Sequence, residues 1–290
     1  MNPDNGLDAI ERPLSALPET LRRHILDHVH KLTTYEPVIG IMGKTGAGKS
    51  SLCNALFAGE VSPVGDVTAC TREPLRFRLQ VGNHSMVLVD LPGVGESAER
   101  DEEYRQLYQR LLPQLDLLLW VIKVDDRALS TDEHFYQTVI GRYRDRVLFV
   151  LNQADKIEPS HQWCREDNTP SLAQGGNLYA KTWDIRFRFL PVNPVRAVSA
   201  RTGWGIPGLV ETLMTCLPAQ ASSPLTTQLH ESLRTDVVKS QARDSFGDAV
   251  GGIVDIVAAL PFVPAPLKAV IHHLRDTVVS VARAVWDFFF

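Results

Sequence analysis

The run Gly43-Lys44-Thr45-Gly46-Ala47-Gly48-Lys49-Ser50 constrains this chain more than any other feature, because it follows directly on the apolar run Pro37-Val38-Ile39-Gly40-Ile41-Met42. A buried strand that feeds a GxxxxGK[ST] loop and then a helix is the arrangement that cradles phosphate. Gly43, Gly46 and Gly48 let backbone amides turn inward, and the next helix presents unpaired N–H groups to an anion. In such a loop Lys49 supplies a point charge to the β- and γ-phosphates, and the Ser50 hydroxyl is one ligand of a hard, oxygen-seeking Mg²⁺. Lys44, Thr45, Ala47 and Ser51 complete the stretch expected at the nucleotide. The competing reading is a glycine turn that binds nothing. With glycine at about 7% of residues, a chance match in a chain this long is on the order of one in a hundred.

A length of 290 residues accommodates one α/β domain with its own core and a smaller appended unit. The formal charge of −4 gives no general pull toward nucleic acid, although a local basic patch is compatible with it. Cys53, Cys70, Cys164 and Cys216 show no CxxC spacing and no signal peptide precedes them, which predicts a reduced, cytoplasmic protein. His161 and Cys164 form an HxxC pair without a second pair to complete a zinc site, so they read as solvated loop residues. No apolar run reaches the roughly 18 residues that would span a bilayer.

Along the chain, Leu21, Ile25, Val29 and Leu32 recur at helical spacing and predict an amphipathic helix over 19–33, after a polar start. Leu75–Val81 alternates and pairs with His84–Asp90 through a turn at Gly82-Asn83. Asp116–Val124, Arg146–Leu151 and Pro194–Ser199 read as buried strands, separated by helices near 102–112, 131–141 and 206–216. This alternation predicts a mostly parallel sheet covered on both faces, with ligands at the carboxyl ends of its strands. Residues 157–182, with Gly175-Gly176, read as a loop-rich insertion.

Three further motifs fall at strand ends. Asp90-Leu91-Pro92-Gly93 offers a carboxylate for Mg²⁺ through water and, at Gly93, an N–H for a γ-phosphate. Asn152-Gln153-Ala154-Asp155 lies where a base would lie. A buried Asp155 carboxylate accepts from guanine N1–H and its exocyclic amine, and stays unpaired against adenine, a difference that can reach about 10⁴–10⁵. The alternative there is an ordinary strand-end turn. Ser199-Ala200-Arg201 closes the last strand and offers backbone to the base oxygen.

These four motifs in this order resemble the translation-factor-related P-loop GTPases, in the Era, EngA, YihA and septin-like branch, over about residues 36–218. More narrowly, GIMGKTGAGKSSLCNAL, CTREP, LVDLPGVGES and NQAD look like bacterial, often prophage-encoded GTPases of the ribosome-binding GTPase-like group. The resemblance implies a three-layer, Ras-like α/β domain that binds GTP and GDP with Mg²⁺. It makes Thr71 of Cys70-Thr71-Arg72 the switch I threonine that reaches Mg²⁺, with Thr68 as the alternative. It also matches Asn152 and Asp155 to NKxD, and Ser199, Ala200 and Arg201 to its SAK partner. Gln153 replaces the lysine whose stem lies along the nucleotide, which implies lower affinity. Gly46 stands where potassium-activated relatives carry asparagine, so potassium stimulation is not implied. Val94 stands where Ras-like enzymes place a water-orienting glutamine, and an apolar side chain cannot hydrogen-bond water.

The expected chemistry is slow GTP hydrolysis as a molecular switch, with Lys49, Thr71 and Gly93 as the catalytic set and Ser50, Thr71 and Asp90 around Mg²⁺. Arg72, Glu73, Glu96 and Arg100 lie in or beside the switches as candidates to help the attacking water. A homodimer or an activating protein that completes the site is the expected source of acceleration. Rival readings are a non-catalytic, nucleotide-gated binding module on ribosome or RNA, and a dynamin-like GTPase on a membrane. The domain expectation is an N-terminal helical extension over 1–35, a G domain over 36–218 and a C-terminal helical region over 219–290. In the last, Leu267, Val270, Ile271, Leu274, Val278, Val281, Ala282 and Val285 share a helical face. That face fits either a small helical unit formed with the N-terminal helix or a peripheral membrane or partner contact.

Overall fold

Leu117–Lys123 (LLLWVIK) and Val147–Asn152 (VLFVLN) carry almost no polar side chain, and strands of that kind persist only where both faces are covered. In the computed structural model, which describes residues 3–63, 74–94 and 98–290, they are central strands of a seven-stranded sheet. The strands are β1 (Val38–Met42), β2 (Glu60–Pro63), β3 (Leu75–Val81), β4 (His84–Asp90), β5 (Leu117–Lys123), β6 (Val147–Asn152) and β7 (Arg196–Ala197). Their order is β2-β3-β4-β1-β5-β6-β7. β3 runs antiparallel to β2 and β4, and the remaining pairs are parallel. This is the Ras-like α/β arrangement. The register aligns Ile41 with Asp90 on one side of β1 and Met42 with Trp120 on the other, while Lys123 aligns with Asn152. The carboxyl ends of β1, β4 and β6 thereby converge at one edge, where the strand order reverses and α/β sheets bind their ligands.

The helices are α1 (Pro3–Glu11), α2 (Glu19–Thr33), α3 (Lys49–Leu56), α4 (Ala98–Leu111), α5 (Ser130–Phe135), α6 (Leu172–Phe189), α7 (Ile206–Cys216), α8 (Ala219–Gln228), α9 (Asp236–Ala259) and α10 (Ala265–Ala284). Two differ from expectation in an informative way. The stretch read as a loop-rich insertion over 157–182 contains most of α6, despite Gly175-Gly176. Ser171 and Gln174 cap its start reciprocally, and Leu178, Ile185 and Phe189 bury one face, which together outweigh the weak helix propensity of two glycines. The helix expected near 131–141 is α5 continued by a wider turn over Tyr136–Ile140. β7 is shorter than its apolar run, because Pro194 has no N–H to give a ladder and the Ser199 N–H donates to Trp204 O.

The chain divides into two compact units. The larger comprises Pro37–Leu217 and the short return segment Gln228–Leu233. That segment pairs with the end of α3: Phe57 bridges Leu229, Ala58 N donates to Gln228 O at 2.9 Å, and His230 N donates to Leu56 O at 3.0 Å. The smaller unit comprises Met1–Glu36, Pro218–Thr227 and Arg234–Phe290. Within it α9 and α10 form a hairpin, α2 packs on α9, and α1 contacts both α2 and α10. Its centre is pinned by the buried Trp286 indole, whose N–H donates to Ser223 Oγ at 2.8 Å, while Ser223 Oγ donates to Ala242 O at 3.0 Å. No helix among the described residues is long and apolar enough to cross a membrane.

Beneath β5 and β6 lies an aromatic core in which Trp120 stacks on Phe149 at 5.2 Å and meets Tyr136 and Phe189 edge-on. Trp120 is fully buried, yet its indole N–H has no acceptor among the described residues. Trp120→Ala is expected to cost about 3–5 kcal/mol in urea unfolding. Trp120→Phe is expected to cost less than half of that, because it also removes an unsatisfied donor.

Candidate nucleotide-binding site

Residues 43–48 turn sharply from β1 into α3. Gly43 has φ +152°, and a Cβ there would lie 2.3 Å from Val121 O, so the loop can only pass this close to β5 without a side chain. Gly93 is equally constrained from the other side, since a Cβ would lie 2.8 Å from Gly43 O. The DxxG turn is thus packed directly on the glycine loop. Lys49 curls across that loop, donating to Gly43 O at 2.9 Å, with its ammonium 4.0 Å from Asp90 Oδ1. Asp90 Oδ1 is buried and receives no hydrogen bond from any described residue. Burial pushes the Asp90 carboxyl above its usual range, and Lys49 only partly counters this. Ser50, Asp90, Lys49 and Cys53 line one cavity of about 230 Å³. An orphaned carboxylate oxygen beside a hydroxyl and an ammonium fits a hard divalent cation with oxygen ligands. Burial, with Asp90 adding to it, pushes the Cys53 thiol up to about 12. Ser51 lies on the exposed side of α3.

At the end of β6, Asn152 joins three segments. Its Nδ2 donates to Ala47 O at 3.0 Å and Gly48 O at 3.3 Å, and its Oδ1 accepts from Gln153 N at 2.8 Å and Ala200 N at 3.1 Å. Gln153 adopts the left-handed conformation, φ +63°, and its amide donates to Gly46 O at 2.7 Å while Lys156 donates to its Oε1 at 2.8 Å. Asp155 is buried. Its Oδ1 accepts from Ser199 Oγ at 2.5 Å, and its Oδ2 from Arg201 Nη2 at 2.5 Å and Nε at 3.1 Å. Burial alone would raise the Asp155 carboxyl, but the Ser199 hydroxyl and the Arg201 guanidinium outweigh it and hold it below the usual range. The Arg201 side chain is 73% exposed, and with Asp155, Trp163 and Asn168 it lines a cleft of about 640 Å³.

Lys44 turns away from the cavity that holds Ser50 and Asp90. Its ammonium donates to Asp126 Oδ2 at 2.9 Å and Ala128 O at 2.5 Å, and stands 2.9 Å from Asp132 Oδ2. Burial would lower the Lys44 pKa, but Asp132 and Asp126 together raise it, so the lysine is held charged. Thr45 and Ala47 line the same cleft, of about 320 Å³.

Residues 38–153 match the family described as 50S ribosome-binding GTPase. The chain is 56% identical to YkfA of Escherichia coli strain K12 over the full length of both proteins. It is 25% identical to GTPase Der of Mycoplasmopsis agalactiae over 69% of this chain and 43% of that one. The chain belongs to the Era/EngA-like P-loop GTPases. Among solved structures, Aquifex aeolicus Era bound to GDP·AlF₄⁻ is similar at 24% identity, with a TM-score of 0.46 over 62% of this chain and 56% of that one.

In this P-loop GTPase the structure brings the glycine loop, Asp90, Gly93, Asn152, Gln153, Asp155 and Ser199–Arg201 to one sheet edge. Thr71, with Thr68, Arg72, Glu73 and Glu96, lies outside the described residues. The sequence reading missed the anchoring role of Lys44 and the part played by Lys156. The signal for the first was the pair Asp125-Asp126 at the end of β5, one strand away from the loop. Asp132 is 3% exposed, so Lys44→Met strands a buried carboxylate and is expected to cost on the order of 3 kcal/mol in urea unfolding. Adding Asp132→Asn to Lys44→Met is expected to recover most of that loss.

Proposed function

We propose that this GTPase binds GTP and GDP in preference to adenine nucleotides, hydrolyses GTP slowly, and uses loss of the γ-phosphate as a conformational switch. The observation that carries the base preference is the Asp155 carboxylate, buried at the end of β6, held ionised, and tied through Asn152 to the phosphate loop. In the reading proposed, guanine N1–H and the exocyclic amine replace Arg201 on Asp155. Arg201 is exposed and free to swing outward, whereas Ser199 stays on Oδ1. Adenine brings an acceptor to that position and leaves the carboxylate unpaired. Gln153 and Lys156 line the approach where the family's lysine would lie.

On the phosphate side, Lys49 exchanges its bond to Gly43 O for the β- and γ-phosphates, and the amides of residues 43–50 cradle them. Ser50 and Asp90, with Thr71, would hold Mg²⁺, which when bound neutralises charge on the phosphate oxygens. The Gly93 N–H, on a turn packed against the loop, meets the γ-phosphate in this reading, which the close approach of Gly93 to Gly43 supports. Val94, the residue after DxxG, is buried in the apolar core and offers nothing to orient water. Hydrolysis by the isolated chain is accordingly slow, and a second copy or an activating protein supplies the missing group. Release of Thr71 and Gly93 after hydrolysis then loosens both switches.

Equilibrium binding of fluorescent GTP, GDP and ATP tests the base reading. A guanine preference approaching about 10⁴ is expected in the wild type. It should be lost in Asp155→Asn, which places an N–H₂ donor at the base and favours a base with an oxygen at C2, as in xanthosine triphosphate. Equal affinity for ATP and GTP would overturn it. Single-turnover hydrolysis is expected on the order of 10⁻⁴–10⁻² s⁻¹, and fast turnover without any partner would remove the need for an external group.

A further inference from the structure

α6 buries one face through Gln174, Leu178, Ile185 and Phe189, as any helix docked on a sheet does. Its opposite face is also apolar. Leu172, Gly176, Tyr179, Trp183, Phe187 and Leu190 follow one another at steps of three and four residues and point directly away from the buried side. They are not thinly exposed: Leu172 is 96% accessible, Phe187 83%, Leu190 71%, Tyr179 66% and Trp183 49%. Aromatic side chains carry roughly 150–250 Å² each when bare, so the stripe presents on the order of 800 Å² per chain, which is what a stable interface of ordinary size takes from each partner. Monomeric proteins rarely leave so large a continuous apolar patch in water.

The chemistry of the stripe selects its occupant. Alternating steps of three and four are the spacing with which one helix receives the side chains of another. No charge interrupts the stripe, and the charges beside it are engaged with each other: Arg188 Nε lies 2.6 Å from Asp184 and Lys181 Nζ 3.4 Å from the same carboxylate. The Arg186 guanidinium lies 5.0 Å over the Trp183 ring. That leaves neither a basic field for nucleic acid nor a lysine fringe for acidic lipid. The stripe also reads alike in both directions about Lys181. Antiparallel pairing of two copies there sets Leu172 against Leu190, Tyr179 against Trp183, and the Gly175-Gly176 step, with open space around it, against Phe187. Apolar meets apolar, ring meets ring, and the largest knob meets the smallest residues, as an isologous two-fold contact requires.

We propose that the outward face of α6 is a homodimer interface, in which two copies pair antiparallel with Phe187 of each seated on the Gly175-Gly176 step of the other. The contact is separate from the glycine loop and stands whether or not the nucleotide assignments hold.

Sedimentation equilibrium of the full chain at micromolar concentrations tests this, with the melting transition of each variant as the check on folding. The wild type is expected at the mass of two chains. Phe187→Glu and Trp183→Glu, both at solvent-facing sites, are expected to weaken association by roughly tenfold or more while melting as the wild type does. Gly176→Leu separates this register from general stickiness, because it adds apolar surface but fills the slot for Phe187, and it too is expected to weaken the dimer. A wild type at single-chain mass throughout would overturn the proposal. A dimer unaffected by Phe187→Glu, or strengthened by Gly176→Leu, would overturn it as well.

Discussion

Four hydrogen bonds radiate from the side-chain amide of Asn152, and the nucleotide edge of the sheet depends on them. Two run to carbonyls of the glycine loop, one to the Gln153 N–H and one to the Ala200 N–H. No strand ladder joins the glycine loop directly to the other two segments, since β1 and β6 are separated by β5. The amide is fully buried and uses both of its donor and acceptor faces, so its bonds are not exchanged with water. The glycine loop and the segments that follow β6 and β7 are therefore coupled through one residue, and a shift in either is felt by the other.

Around that clamp, two aspartates of the same intrinsic acidity are driven in opposite directions. Asp155 is buried but meets a hydroxyl and a guanidinium, and it stays ionised below the ordinary carboxylate range. Asp90 is half-exposed, but its Oδ1 is buried and receives no hydrogen bond from any described residue, and desolvation there weakens its acidity more than Lys49 restores it. Linkage then gives opposite signs. The contribution of Asp155 to folding is complete above its unfolded pKa and fades as pH falls through the lower folded value. The burial of Asp90 opposes folding increasingly as pH rises from its unfolded pKa to the higher folded one. A site with one satisfied and one unsatisfied carboxylate is matched to a ligand that brings hydrogen-bond donors to one end and a cation to the other.

The sheet was legible in the chain because its signals are local: continuous apolar runs for β5 and β6, alternation for β3 and β4, and a glycine turn between them. The loop after β1 was legible because its glycines and Lys49 sit at fixed spacing. α6 was not, because two adjacent glycines argue for a turn; the capping box of Ser171 with Gln174 is a local signal that the glycines outweighed, and the buried face exists only once Ile185 and Phe189 pack into the core with Trp120 and Phe149. Lys44 was missed as an anchor because the signal, the acidic pair at the end of β5, is distant in sequence. Its partners Asp126 and Asp132 lie about eighty residues away, and only the parallel pairing of β1 with β5 brings them to the loop. Arg201 matched a motif position, yet its engagement of Asp155 follows from side-chain reach and from nothing in the spacing.

The return segment Gln228–Leu233 has a consequence for how such a chain can change over generations. Its backbone closes on Leu56, Phe57 and Ala58, at the end of the helix that begins at Lys49. The chain crosses between its units four times in all, so neither unit is a contiguous cassette. Recombination at any single point between them would separate a piece of one unit from the rest. Exchange of the helical unit between relatives therefore has to proceed by substitution within the helices, with the strap at 228–233 inherited together with the glycine loop.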